Sequence, residues 1–252
     1  MLWAIDVGNT HTVFALHNGE RWAAHWRITT HALGTEDEIA DRLFSLCQLN
    51  GLTLQASQVV GASVNPLVDA DIDRFAREYL KCEITWMRAA DAKIPILYRP
   101  PEAVGADRIA NAVGAMALCK PPFVVVDFGT ATTFDVIDAS GAYAGGAILP
   151  GPDTLMSALT TRTAKLPSVP LKVPDKAIGA TTAGALQSGV VLGYAGAIDR
   201  ILDGILAELG EHANVITTGG LGQVIAELCP RLNRYEPMLT LDGLRLFLLG
   251  TR

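Results

Sequence analysis

The sequence predicts an α/β fold built from two similar lobes with a central cleft between them. The chain of 252 residues alternates apolar strands with helical segments, and 50% of its residues are hydrophobic while 18% are charged. This composition excludes a disordered chain and supplies apolar material for a large core. A strand–Asp–x–Gly–polar unit at Asp6-Val7-Gly8-Asn9-Thr10 recurs 121 residues later at Asp127-Phe128-Gly129-Thr130-Ala131. We therefore predict a duplication, with lobes over 1–118 and 119–252 that divide near Pro121-Pro122.

The first lobe opens with three predicted strands. Leu2–Asp6 and Thr12–Leu16 are apolar runs on either side of a Gly8-Asn9 turn, which is typical of a β-hairpin. Trp22–Ile28 alternates in polarity like a half-exposed strand. The later elements of this lobe are a helix opened by the capping box Thr35-x-x-Glu38, strands at Gln58–Ala62 and Glu83–Met87, a helix over Asp69–Leu80 and a helix over Ala106–Cys119.

The second lobe repeats the strand pattern and then becomes largely helical. Its predicted strands are Phe123–Asp127, Thr132–Ile137, Tyr143–Ile148, Asn214–Thr218 and a short Leu239–Leu241, and its predicted helices start near Asp153, follow Gly219-Gly220 through Leu228 and cover Gly243–Leu249. Ala177–Ile198 lacks a formal charge but contains five glycines and few bulky residues. We interpret it as a close-packed buried helix rather than a membrane span.

Charge and cysteine usage exclude several classes of protein. With 26 acidic and 20 basic residues the formal net charge is −6, which argues against a general nucleic-acid binder. Anionic ligands must then be met locally by an arginine, by backbone amides or by a bound cation. The four cysteines form no CxxC pair, so we expect no structural zinc site. The N-terminus reaches Asp6 without a basic region, so we expect no signal peptide and a cytoplasmic protein without membrane contact.

The two aspartate turns are candidate phosphate sites. Asp6 could hold a hydrated Mg²⁺ while the Gly8–Thr10 turn presents amides and a hydroxyl to phosphate oxygens; the alternative is an ordinary hairpin whose aspartate caps its own turn. Asp127-Phe128-Gly129 has the letters of a protein-kinase motif, but the other kinase motifs are absent. We interpret it as a second phosphate-facing hairpin, with Asp127 on a cation and Thr130 on a phosphate.

Gly105-Ala106-Asp107-Arg108 is the third candidate, at the predicted start of a helix. A helix N-terminus favours anions, Asp107 could accept a proton from a substrate hydroxyl, and Arg108 could bind a carboxylate through two hydrogen bonds. The alternative is a first-turn aspartate beside a solvated arginine. Thr181 and Thr182 are as consistent with helix caps as with ligands. The sequence contains no Walker A motif, which excludes P-loop chemistry.

Taken together and in order, these residues resemble the type III pantothenate kinases, in the superfamily of acetate and sugar kinases, Hsp70 and actin. The resemblance runs the whole length of the chain. Its motifs are Asp6-Val7-Gly8-Asn9-Thr10, Tyr98 through Pro101, Gly105-Ala106-Asp107-Arg108, Asp127 through Thr133, Gly145-Gly146-Ala147-Ile148-x-Pro150-Gly151 and Ile178-Gly179-x-Thr181-Thr182.

The resemblance implies two ribonuclease H-like lobes, a duplicated actin-like ATPase fold. It implies ATP-dependent phosphorylation of the primary hydroxyl of pantothenate to 4'-phosphopantothenate, the first step of coenzyme A biosynthesis. It further implies Mg²⁺ with ATP, a monovalent cation (K⁺ or NH₄⁺), and a homodimer whose substrate site borrows from the partner subunit. The alternatives are a superfamily kinase for another small alcohol, or a non-catalytic relative that acts as an accessory regulator of gene expression. The presence of Asp6, Asp107 and Asp127 favours an active enzyme.

The same resemblance implies roles for individual residues. Asp107 is expected to be the general base, Asp6 to act on Mg²⁺, and Asp127 to hold the monovalent cation. The residues expected at ATP are Asp6, Val7, Gly8, Asn9, Thr10, His11, Thr12, Val13 and Thr130. The residues expected at pantothenate are Tyr98, Gly105, Ala106, Asp107, Arg108 and Thr182. Pro100 replaces a residue that is polar in many relatives, which leaves the contacts of its loop open.

Overall fold

The computed structural model describes residues 1–163, 165–210, 212–220 and 222–250, apart from the side chains of Gln223 and Val224. The chain forms two compact units. Unit 1 contains Met1–Leu118 together with the segment that begins at Leu239, and unit 2 contains Cys119–Met238. The predicted lobe over 119–252 therefore differs from unit 2 at its C-terminal end.

Unit 1 is built on a five-stranded mixed sheet in the order β3-β2-β1-β4-β5. Its strands are β1 (Leu2–Val7), β2 (His11–His17), β3 (Trp22–Thr29), β4 (Gln58–Ser63) and β5 (Ile84–Trp86). Its first helices are α1 (Glu36–Leu49), α2 (Asp69–Phe75, continued by a π-helical segment over Ala76–Leu80) and α3 (Ala106–Met116). β1 pairs antiparallel with β2 and parallel with β4, so β1 is the centre of the sheet.

Helix α1 begins where the capping box predicts. The Thr35 amide donates to Oε2 of Glu38 at 2.8 Å, and the Glu38 amide donates to Oγ1 of Thr35 at 3.5 Å. The inner face of α1 buries Ile39, Leu43 and Cys47 against the sheet. The helix is therefore held by its N-terminal cap and by an apolar stripe that repeats every three to four residues.

Unit 2 is built on a four-stranded sheet in the order β8-β7-β6-β9. Its strands are β6 (Phe123–Phe128), β7 (Ala131–Ile137), β8 (Tyr143–Pro150) and β9 (Asn214–Thr218), and its helices are α4 (Pro152–Arg162), α5 (Thr182–Gln187), α6 (Gly193–Leu209) and α7 (Gly222–Ala226). A π-helical segment, Ser188–Leu192, joins α5 to α6. The expected helix over Ala177–Ile198 thus begins later than predicted and buries one face only, since Gly189, Gly193 and Gly196 lie on its exposed side.

The structure supports the predicted duplication of the strand–Asp–turn–strand unit. β1 and β6 have the same order of buried and half-buried positions, with the aspartate half-buried next to the strand end, and β2 and β7 also match each other. A register shift occurs at Leu16/His17 against β3 and at Val136/Ile137 against β8. Both first strands also pair in parallel with a later strand of their own unit. In the described part of the chain, no helix is long and apolar enough to span a membrane.

The C-terminal segment differs from the sequence-based expectation. The predicted strand over Leu239–Leu241 is wrong, because Leu239–Leu249 forms one helix, α8, that packs against α3 of unit 1. Leu239, Leu241 and Leu244 are buried there. The backbones approach so closely that a Cβ atom at Gly243 would lie 1.8 Å from the carbonyl oxygen of Ala110. Contact with α3 therefore decides the structure of this apolar run.

We predict that Gly243→Ala destabilises unit 1 by about 3 kcal/mol, because the added methyl group forces α8 away from α3. All four tryptophans (Trp3, Trp22, Trp26 and Trp86) belong to unit 1. Urea unfolding followed by tryptophan fluorescence reports this loss as a lower midpoint.

Gly204→Ala is the matched control for that substitution. Gly204 is a helical glycine in α6 whose Cβ position faces open space. An alanine there is expected to stabilise unit 2 by roughly 0.5–1 kcal/mol through helix propensity, and the tryptophan midpoint, which reports unit 1, should not fall. A Gly243→Ala protein that unfolds at or above the wild-type urea concentration would contradict the close packing of α8 on α3.

Candidate active site

The first aspartate turn lies at the carboxyl end of β1. Asp6 is half-buried, and it pairs with Val13 on β2 and Ala62 on β4. The turn is closed by the Gly8 amide, which donates to the carbonyl of His11 at 3.1 Å. Asn9, the next turn residue, is exposed. A carboxylate thus lies next to a turn whose tip faces solvent. This arrangement suits the binding of a phosphate group together with its metal ion.

Thr30, a residue outside the motif, stabilises this turn through hydrogen bonds. The hydroxyl of Thr30 donates to the carbonyl of Gly8 at 2.8 Å, and the Thr30 amide donates to the carbonyl of Thr10 at 2.9 Å. The hydroxyl of Thr12 lies 3.0 Å from that of Thr30, and both residues are buried. Thr12, one of the expected ATP residues, therefore has its hydroxyl engaged in shaping the turn.

One arginine, Arg27, lies near the same turn. Burial, followed by the nearby charges of Arg27 and His31, lowers the pKa of His11. The imidazole of His11 is accordingly neutral at pH 7, while the exposed Arg27, next to β2 on β3, contributes a positive charge. No sequence motif marks Arg27, because its closeness to the turn follows from the pairing of β3 with β2.

The Gly105–Arg108 motif begins α3 in the same unit. Gly105 precedes the helix, and Asp107 lies in its first turn, with Oδ1 accepting the Arg108 amide at 2.8 Å. A Cβ atom at Gly105 would lie 2.5 Å from Oδ1 of Asp107 and 3.3 Å from Cγ1 of Val64. Val64 follows β4, and its amide donates to the carbonyl of Val7 at 3.0 Å. The motif thus lies at the same end of the sheet as the first turn, where β1 and β4 end.

The charged side chains of this motif are partly removed from water. Burial is the main cause of a raised pKa for Asp107, although the amide and the charge of Arg108 act in the opposite direction. Arg108 is itself buried, so the alternative of a solvated arginine is wrong. A carboxylate with a raised pKa is a stronger base than an ordinary aspartate, and a buried guanidinium is suited to a bound anion.

The two other residues expected at pantothenate belong to different units of the chain. Tyr98 is half-buried in unit 1, on the loop before the 3₁₀ helix Pro101–Ala103. Thr182 is an exposed residue of unit 2, at the start of α5. Thr181 has the capping role that the sequence left open, because its side chain accepts the Gly184 amide at 3.0 Å. Tyr98 and Thr182 therefore belong to different units of one chain.

The second aspartate turn has the same design in unit 2. Asp127 is half-buried near the end of β6, and it pairs with Thr133 on β7 and Thr218 on β9. Thr130 is exposed at the turn, where its carbonyl accepts the Gly151 amide at 2.9 Å and the Thr154 hydroxyl at 2.7 Å. The start of α4 therefore fixes the backbone of Thr130, while its side chain remains at the surface.

A glycine turn after β9 packs directly against Asp127. Gly219 has φ +88°, and a Cβ atom there would lie 2.6 Å from Oδ1 of Asp127 and 2.5 Å from the carbonyl oxygen of Phe128. A side chain at this position would therefore displace the carboxylate or the end of β6. The sequence indicated Gly219-Gly220 as a turn, but its contact with Asp127 follows from the parallel pairing of β9 with β6.

Both aspartates offer oxygen donors of the kind that hard cations prefer. Among the described residues, three or more His, Cys, Asp or Glu side chains never converge on a common metal position. Asp6 and Asp127 each lie next to last in a strand that leads into a turn, and Asp127 is paired with two threonines, Thr133 and Thr218. Such a set fits Mg²⁺, which commonly combines one or two carboxylates with substrate phosphates, and it fits a monovalent cation bound by oxygen atoms.

Solved structures with this fold come from several functional classes. A Baf family protein from Campylobacter jejuni has a TM-score of 0.62 at 19% identity, covering 98% of this chain and 97% of that one. The ethanolamine utilization protein EutJ from Carboxydothermus hydrogenoformans has a TM-score of 0.55 at 16% identity, covering 97% and 89%. These likenesses show the fold alone, which is that of the actin-like ATPases and sugar kinases.

Sequence comparison identifies the family. The sequence model of type III pantothenate kinase matches residues 2–204. The type III pantothenate kinase of Desulfosudis oleivorans is 44% identical over 249 residues, covering 98% of each chain. That of Thermomicrobium roseum is 45% identical, covering 97% of this chain and 95% of the relative. That of Thermus thermophilus is 42% identical, covering 99% of each. The chain therefore belongs to the type III pantothenate kinase family.

Proposed function

We propose that this chain transfers the γ-phosphoryl group of ATP to the primary hydroxyl of pantothenate, the first step of coenzyme A biosynthesis. Membership of the family supports this reaction, and one observation supports the choice of Asp107 as its base. Asp107 lies at the start of α3, at the end of the sheet where β1 leads into the Asp6 turn, and burial raises its pKa. The alternatives of a regulator or of a kinase for another alcohol have no observation in their favour.

Asp107 is the proposed general base. The hydroxyl oxygen of pantothenate attacks the γ-phosphorus, and the bond from that phosphorus to the oxygen shared with the β-phosphate breaks. The hydroxyl proton passes to the carboxylate of Asp107, and ADP leaves with the electron pair of the broken bond. Arg108 and the Gly105–Ala106 backbone orient pantothenate, with Arg108 binding its carboxylate. Tyr98 and Thr182 are proposed to complete the pantothenate site.

The residues from Asp6 to Val13 are proposed to bind the ATP phosphates. The exposed turn at Gly8, Asn9, Thr10 and His11 contacts them, while the buried Val7 and Thr12 hold its shape. The positive charge of Arg27 favours the phosphate charge. Mg²⁺ supplies charge neutralisation at the phosphates when bound, and Asp6 would hold it. In unit 2, Thr130 is proposed to contact ATP and Asp127 to hold K⁺ or NH₄⁺.

The proposed assembly is a cytoplasmic homodimer whose pantothenate site borrows a residue from the partner subunit. The family resemblance implies this arrangement. Thr182 is the natural candidate for the borrowed residue, because it lies exposed in unit 2 whereas Asp107 and Arg108 lie in unit 1. A closed twofold dimer would then contain two equivalent sites.

The reaction is tested by ADP release from Mg·ATP, with and without pantothenate, in matched K⁺ and Na⁺ buffers. We expect turnover that requires pantothenate and that is several-fold faster in K⁺ than in Na⁺. Parallel reactions with other small alcohols control for acceptor specificity. A folded protein that releases no ADP with pantothenate in either buffer would refute the proposal.

Asp107→Asn is expected to lower kcat by roughly 10²–10⁴-fold, the usual contribution of a general base, with ATP binding retained. The same change is expected to raise the melting temperature at neutral pH. A raised pKa means that the folded state favours the neutral carboxyl, so ionisation costs stability as the pH rises through the folded pKa. Asparagine avoids that cost, and the gain disappears as the pH falls below about 4, the ordinary aspartate value.

Asp138→Asn is the matched control with the opposite sign. The Ser140 hydroxyl, followed by nearby backbone amides, lowers the pKa of Asp138. This carboxylate therefore contributes stability above its unfolded pKa, and its loss should lower the melting temperature at pH 7 while leaving kcat unchanged. Near-normal turnover of Asp107→Asn would remove Asp107 from the role of base.

A mixing experiment tests the shared site. Asp107→Asn and Thr182→Trp are each expected to be inactive, the second because a bulky ring would fill the space beside an exposed threonine. If Thr182 acts in the partner's site, mixed dimers contain one site with both native residues, and equal mixtures after subunit exchange should recover about a quarter of wild-type activity. Mixtures that stay inactive, although light scattering and tagged pull-down demonstrate mixed dimers, would show that Thr182 acts within its own chain or not at all.

A further inference from the structure

Tyr235 lies on a short extended segment that extends the sheet of unit 2 beyond β9. Tyr235 forms a parallel bridge with Thr217. The Thr217 amide donates to the carbonyl of Arg234 and the Glu236 amide donates to the carbonyl of Thr217, both at 2.8 Å. The Thr217 hydroxyl also donates to the carbonyl of Arg234, at 2.9 Å. The backbone on both sides of Tyr235 is therefore fixed to the strand that leads into the Gly219 turn.

The side chain of Tyr235 reaches that turn. Its hydroxyl donates to the carbonyl oxygen of Gly219 at 3.0 Å. Its ring lies close to the start of α7, since a Cβ atom at Gly222 would lie 3.0 Å from Cε2 of the ring and 3.3 Å from Cδ2 of Phe128. Burial, and then the negative charge of Asp127, raise the pKa of Tyr235. The phenol therefore keeps its proton, which it needs in order to donate.

The turn is thus held from two sides. On one side Gly219 packs against the carboxylate of Asp127, and on the other its carbonyl accepts the hydroxyl of Tyr235. Because its carbonyl is hydrogen-bonded, the peptide group that follows Gly219 cannot rotate freely. Tyr235 is therefore hydrogen-bonded to the turn that packs against the Asp127 carboxylate.

We propose that Tyr235 is a positioning residue that holds the Gly219 turn against Asp127 and thereby sets the affinity of unit 2 for the monovalent cation. This inference rests on the proposed role of Asp127 in binding that cation. Cation sites made of oxygen atoms depend on donor positions within about 0.5 Å, so a loosened turn weakens the site without removing a ligand. Tyr235 need not touch ATP, pantothenate or the cation.

Tyr235→Phe tests the proposal, because it removes one hydroxyl and keeps the ring. We expect the K⁺ concentration for half-maximal turnover to rise about fivefold, which corresponds to the loss of one hydrogen bond, with kcat at saturating K⁺ within about twofold of wild type. A second readout does not use activity: the rise in melting temperature that K⁺ produces over Na⁺, with Mg·ADP present, should shrink in the variant.

Tyr143→Phe is the matched control. The fully buried hydroxyl of Tyr143 donates to Oδ1 of Asp135 at 2.7 Å, in the same sheet but on β8. This variant also loses one hydrogen-bonded tyrosine hydroxyl, so its melting temperature should fall, yet its K⁺ dependence should match wild type. An equal change in the K⁺ dependence of both variants would mean that general loosening of unit 2 is responsible, and would overturn the proposal.

The possible failures can be told apart. If the wild-type enzyme shows no preference for K⁺ over Na⁺ in turnover or melting temperature, the role of Asp127 fails and this inference fails with it. If the wild type responds to K⁺ and Tyr235→Phe responds identically, the role of Asp127 stands and Tyr235 has no positioning function.

Discussion

The register of the central strand in each sheet is the constraint on which the rest of the structure depends. β1 and β6 are buried on both faces for most of their length, and each has its aspartate at the next-to-last position. A slip of one residue would move that carboxylate into apolar surroundings, which costs several kcal/mol for an unpaired charge. The apolar residues that precede Asp6 and Asp127, together with the pairing of β1 and β6 to their neighbours, therefore place these carboxylates at the ends of their strands.

Local sequence was sufficient to predict the parts of the fold whose cause is local. The hairpins follow from apolar runs around glycine turns, and the start of α1 follows from Thr35 and Glu38. The repeated aspartate turns and the Gly105–Arg108 motif indicated where the candidate site residues lie, and the family resemblance assigned their chemistry. Each of these signals lies within a few residues of the structure that it predicts.

The remaining features depend on contacts between distant segments. Leu239–Leu241 has the composition of a strand, but Leu239 and Gly243 both lie close to Gly114 of α3, and residues four apart share a face only in a helix. The closeness of Arg27 to the first turn and of Val64 to Gly105 arises from strand pairing and strand ends. No motif marks Tyr235, because its hydrogen bond to Gly219 exists only after two parallel segments have paired.

The return of α8 to unit 1 means that unit 1 is discontinuous in sequence and that unit 2 is an insertion within it. During synthesis the ribosome must complete Cys119–Met238 before the residues that cover α3 exist. Unit 2 is continuous in sequence, so all of its residues are available before α8 has been synthesised. Until then, α8 does not cover the surface of α3 around Ala110 and Gly114. Once unit 2 has folded, it shortens the effective loop that must close to bring α8 to α3. Unit 1, which contains the proposed base, is therefore completed after unit 2. Molecular chaperones would encounter it while the surface of α3 is still exposed.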